Sequence, residues 1–112
     1  MKRKNTKAYK ELVDKYCYAR SDYEDKQSTI TEDRELLKED GAIFQSLPKE
    51  VQENPNVKRW YDEYTHMVKT TIEFANLVST RLEEDVQKYG DKLVKDYDDD
   101  LDEVYEKWNE SE

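Results

Sequence analysis

The sequence predicts an all-α protein, an elongated antiparallel helical hairpin of coiled-coil character, with helices over about 6–44 and 55–109 in one domain spanning 1–112. Three observations predict it. Charged residues make up 42% of the chain against 35% hydrophobic, which excludes a large globular core. Two Gly and two Pro are too few for the turns of a sheet. Apolar residues nevertheless recur with helical period over most of the length, which argues against disorder of so polar a chain.

The first arm carries Tyr9, Tyr16, Tyr23, Ile30, Leu37 and Phe44 at an unbroken seven-residue spacing, with Leu12 and Ala19 filling the next position early on. Such spacing places a helix lengthwise against another helix. Thr29 and Glu32 have capping-box spacing in the β-branched stretch 28–31, so a kink or a new helix start is expected there. Gly41 is a second expected soft point.

The connection follows from Gln45 to Asn54, where Pro48 and Pro55 flank a piece long enough for one helical turn, Pro48 to Glu53. Asn54 is then a good N-cap, and Pro55 suits the first position of the second arm. From there Val57, Tyr61, Tyr64, Val68, Ile72, Ala75, Val78, Leu82, Val86 and Tyr89 step by threes and fours, one apolar stripe on a rod of about 50 Å.

A hairpin centred near Val51 pairs Phe44 with Val57, Leu37 with Tyr64, Ile30 with Ile72, Tyr23 with Val78, Tyr16 with Val86 and Tyr9 with Leu93. Apolar meets apolar at every rung. Beyond Gly90 the stripe keeps its phase through Leu93, Tyr97, Leu101, Val104 and Trp108, so a continuing or mildly bent helix is expected there rather than a reversal. Residues 2–10 carry five positive charges and no negative one, while residues 91–112 hold ten acidic against three basic residues. Both distributions oppose their helix dipoles, and they make sense if the two ends lie side by side.

The same residues bound the function. A net charge of −9 makes nucleic acid an unfavourable partner, because a phosphate backbone must be met by a basic surface. Met1 to Lys10 is basic but lacks the apolar centre of a signal peptide, and no run of 18 apolar residues occurs, so a cytoplasmic protein without membrane insertion is expected. The single cysteine, Cys17, reads as a small semi-buried hydrophobe. Glu63 and His66 have Glu-x-x-His spacing, but di-iron sites need two such motifs and His66 is the only histidine. The run Asp96, Asp98, Asp99, Asp100, Asp102 departs from a calcium loop, with Leu101 in place of Gly and Lys107 in place of Glu, and reads as a solvated helix face. Neither a phosphate loop nor a nucleophile motif is present. The expectation is a non-enzyme with no cofactor and no metal. What is left is surface: Trp60, Phe74, Leu77, Tyr105 and Trp108 exceed what one hairpin seam can bury, and they are the expected partner-binding residues.

Taken together, the layout resembles the helical-hairpin Trp-x-Gly secretion partners. It resembles more closely the second class of small α-helical proteins encoded beside LXG toxins of the Gram-positive type VII secretion system. The residues that carry the likeness are Phe44, Gln45, Ser46 and Leu47 before the turn, Arg59 to Glu63 after it, Arg81 to Glu84, and the acidic Leu101 to Tyr105. The turn has no Trp-x-Gly, and four residues after Tyr97 and Tyr105 stand Leu101 and Asn109 in place of the acid of a secretion signal. The resemblance implies an adaptor or chaperone that binds the N-terminal helical domain of an LXG toxin and helps target it for secretion. A second small helical partner, and co-secretion with the toxin, are part of what it implies. Two alternatives come from the residues alone: an acidic DNA mimic using Asp96 to Glu112, and a homo-oligomeric coiled coil, a homodimer in its simplest form.

Overall fold

The structure, a computed structural model, describes residues 1–111. Four α-helices follow one another, α1 (Lys7–Ser46), α2 (Lys49–Gln52), α3 (Pro55–Tyr97) and α4 (Leu101–Glu110), and there is no strand among the described residues. The fold is all-α, as the periodicity predicts. Packing divides the chain into a terminal unit, Met1–Asp25 with Ser79–Glu112, and a central unit, Lys26–Val78.

Caps and connections follow the sequence closely. Thr6 opens α1 by accepting the Tyr9 backbone N–H on its hydroxyl oxygen at 3.2 Å. Asn54 opens α3 by accepting from the N–H groups of Asn56 and Val57 at 3.0 and 3.4 Å, with Pro55 as the first helical residue. Between them the single turn of α2 is held by Gln52, whose side-chain amide donates to the carbonyls of Gln45 and Leu47 at 3.1 and 2.8 Å.

The expected soft points are helical. α1 passes through 28–31 and Gly41 without a break, and within it the Thr31 hydroxyl donates to the Gln27 carbonyl at 3.0 Å. α3 likewise passes through Gly90 and ends seven residues later, at Tyr97.

In the central unit α1 and α3 run antiparallel around buried Ile30, Val68, Ile72 and Ala75, with Leu37 and Tyr64 packed against them. Leu37 and Tyr64, like Ile30 and Ile72, thus share one cluster, as the hairpin pairing requires. The ring contact falls one turn further along than expected: Phe44 stacks on Tyr61, centroids 4.1 Å apart, in place of Val57. Beside this stack the Tyr61 hydroxyl reaches Gly41, 3.4 Å from where a Cβ would stand, an ordinary contact.

In the terminal unit α1 and α3 again run antiparallel, around Tyr16, Cys17, Leu93 and Tyr97. Tyr9 shares this cluster with Leu93, and Tyr16 with Val86, yet the Tyr9 ring meets Tyr97 edge-on at 4.7 Å, again one turn further. In the same cluster Tyr16 packs on Gly90, where a Cβ would stand 3.1 Å from its ring.

The largest departure is α4. The continuous helix expected to reach 109 is interrupted at Asp98, which takes the left-handed conformation at φ 52°. Its N–H bonds the Val94 carbonyl at 3.0 Å, and Asp99 donates to the Leu93 carbonyl at 3.3 Å. Asp100 then caps α4, accepting from Asp102 and Glu103 at 3.1 and 3.3 Å. The chain folds back so that Leu101 comes beside Gly90, and Tyr105 is buried with the core. The centre of the acidic run, Asp98 to Asp100, is therefore a turn rather than a helix face, with Asp96 at the end of α3 and Asp102 at the start of α4.

Candidate partner-docking surface

α3 has two apolar stripes, and only one faces α1. Val68, Ile72 and Ala75 are buried. Trp60, Met67 and Phe74, spaced by seven, lie along a second face with Leu77 one step further, and they are 65%, 60%, 63% and 73% exposed. All four belong to the central unit. Near the start of this stripe Trp60, with Ile43, Phe44 and Tyr61, lines a groove of about 310 Å³, and Ile43 is itself exposed.

Behind the stripe the rings connect to α1. Trp60 stacks parallel to Tyr64 at 5.6 Å, and the Tyr64 hydroxyl donates to Asp40 at 2.5 Å. That hydrogen bond, then burial, then the charge of Asp40, push the Tyr64 hydroxyl up to about 12. The orientation of Trp60 is thus set by a chain of contacts reaching α1. Charge on the stripe is sparse: Arg59 and Glu63 bridge each other at 3.8 Å on the exposed surface, a weak pair. Long apolar residues at a seven-residue repeat, rimmed by exposed charge, offer the holes into which a second helix packs.

Three of the five expected contact residues, Trp60, Phe74 and Leu77, are on this stripe. The structure uses the other two differently. Tyr105 is buried in the terminal unit, donates its hydroxyl to Glu24 at 3.0 Å, and carries the Arg20 guanidinium over its ring at 4.2 Å. Burial first, then the bond to Glu24, raise its hydroxyl. Trp108 is half-buried, packed edge-on against Tyr18 at 4.8 Å. Both hold α4 in place because α4 folds back, which the unbroken phase of the stripe concealed. Met67 was missed although its signal was available: it sits midway between Trp60 and Phe74 at the same spacing.

The acidic turn is occupied by its own fold. Lys2 pairs with Asp96 at 3.3 Å, Lys4 with Asp99 at 2.7 Å and Arg20 with Asp102 at 3.0 Å, and Asp99 also accepts the Tyr9 hydroxyl at 3.0 Å. The basic start thus meets the acidic end, as the charge asymmetry predicts. Burial, then the bond to Asp99, push the Tyr9 hydroxyl up to about 12. His66 is exposed, and no group of three His, Cys, Asp or Glu that could hold a metal occurs among the described residues. Nor is any helix among them long and apolar enough to cross a membrane.

Comparison with protein-family models, with curated proteins and with solved structures returned no match.

Proposed function

We propose that the protein is a non-enzymatic adaptor that docks a helix of a larger protein on the exposed stripe of α3. Following the sequence resemblance, we take that protein to be the N-terminal helical domain of an LXG toxin destined for type VII secretion. The observation that carries the docking role is the row Trp60, Met67, Phe74 and Leu77, wet on a helix whose opposite face is already packed. Covering large side chains of this kind contributes roughly 1.5–3 kcal/mol each, enough for a few to dominate affinity. The DNA-mimic alternative draws less support. Asp96, Asp99 and Asp102 are ion-paired and Asp100 is a helix cap, so few carboxylates of the run are left to imitate phosphates.

The test is co-expression with the helical domain of an LXG toxin and purification on a tag carried by one of them. Phe74→Ala with Leu77→Ala is expected to abolish co-purification. Replacing the exposed carboxylates Asp91, Asp98 and Glu106 by amides is expected to leave it intact. The reverse pattern would replace the apolar face by an acidic one.

A further inference from the structure

We infer that the same stripe is also a self-recognition surface, on which a second copy of this chain lays its own stripe in antiparallel orientation about a two-fold axis at the level of Met67. This rests on reading the stripe as a docking face, and it adds the occupant present when no other partner is. The reason lies in the symmetry of the stripe. An isologous interface has to be complementary to itself, so each feature needs its counterpart at equal distance on the other side of the axis.

The apolar residues meet that condition. Trp60 and Phe74 stand seven residues to either side of Met67, so reversal sets each large ring against the other and Met67 against its own copy. The flanking charges follow with inverted sign. Reversal about Met67 brings Arg59 of one copy within two positions of Glu73 of the other, about 3 Å along the axis, a gap their long side chains span. Each Arg59 therefore approaches a carboxylate of the other copy. A parallel pair in register would set Arg59 on Arg59 and Glu73 on Glu73, which repel.

Arg59, His66 and Glu73 each precede a stripe residue by one position, which puts them along one flank of the seam, where charges of facing helices meet. The bridge Arg59 makes with Glu63 within its own helix is long and exposed, and exchanges readily for a partner across the seam. The stretch 58–77 is also neutral in a chain of net charge −9: Lys58, Arg59 and Lys69 balance Asp62, Glu63 and Glu73. Two copies can therefore approach here without the repulsion that opposes contact elsewhere.

Sedimentation of the full chain across a range of concentrations, with disulfide trapping, tests this. A dimer is expected. Met67→Cys should trap it as a disulfide with its own copy. Trp60→Cys should not, because about 14 positions separate it from its own copy along the axis, about 21 Å. Arg59→Glu or Glu73→Arg alone should weaken dimerisation at least about tenfold, and the two together should restore it to within about threefold, the signature of a pair acting across the seam. A chain that is monomeric throughout, trapping of Trp60→Cys as fast as Met67→Cys, or failure of the double exchange to restore the dimer overturns the inference. A monomer that still captures a helical toxin domain through Phe74 overturns it while leaving the proposed function standing. A dimer that captures none does the opposite.

Discussion

Gly90 and Gly41 show how much a single hydrogen decides. A Cβ at Gly90 would stand 3.1 Å from both Leu101 Cδ1 and the Tyr16 ring, and Tyr16 is buried and cannot step aside. At Gly41 it would meet the Tyr61 hydroxyl at an ordinary 3.4 Å. Gly→Ala in a helix gains up to about 1 kcal/mol at either place. Overpacking costs about 1–3 kcal/mol and applies only at Gly90. Gly41→Ala is therefore expected to stabilise by up to about 1 kcal/mol and Gly90→Ala to destabilise by about 1 kcal/mol, read as opposite shifts of the urea midpoint. Tyrosine protons supply a second residue-scale prediction. Tyr9 and Tyr64 both hold theirs up to about 12, against about 10 for an unfolded tyrosine. A raised folded value means that the stability tied to these protons is complete below about pH 10 and is lost as pH climbs toward about 12. Ultraviolet titration should show these phenols ionising late in the folded chain, and Tyr9→Phe and Tyr64→Phe should each remove one late step.

At the scale of an element, the turn from α3 to α4 concentrates the local chemistry. Asp98 adopts φ 52°, a conformation that favours glycine, while Asp100 supplies the two acceptor bonds that start α4. Asp98→Gly is expected to raise stability by up to about 1 kcal/mol. Asp100→Ala should lower it by about 1 kcal/mol, since the first N–H groups of α4 lose their acceptor. Thermal melts of the two variants should shift in opposite directions. α4 in turn covers the core in which Cys17 is fully buried, with Tyr105 seated in that core and Leu101, Val104 and Trp108 packed against it. Loosening α4 by Tyr105→Ala with Trp108→Ala should speed reaction of the Cys17 thiol with an alkylating reagent at least about tenfold, because local opening governs access to a buried group. An unchanged rate would mean that α1 and α3 alone shield the thiol.

At the scale of the whole molecule, the net charge of −9 lies outside the stretch 58–77, whose own charges balance and which presents the exposed apolar row. Binding that depends on this row should be only weakly sensitive to salt, because area removed from water is not screened. Raising salt from about 0.05 to 0.5 M should change the affinity for a toxin's helical domain by less than about threefold. An acidic surface steering a basic partner would lose far more over that range. Isothermal titration at the two salt concentrations separates these outcomes.

The sequence by itself determined what depends on neighbours along the chain. Asn54 with Pro55 sets where α3 begins, the seven-residue rows set which face of each helix turns inward, and the opposite charges of the two ends set that they meet. The exposed row was legible too, in part: Trp60, Phe74 and Leu77 stand off the main stripe, and only Met67 was passed over. Tertiary structure alone decided the ring partners in each unit, because rungs one turn apart present the same apolar face and the pattern along the chain does not distinguish them. It alone decided the fate of α4. Leu101, Val104 and Trp108 would keep the phase of the stripe whether the helix continued or folded back onto the same core, since periodicity reports which residues need cover and not which residues cover them. For that reason Tyr105 and Trp108 looked like surface waiting for a partner, and became the contacts by which the chain covers itself.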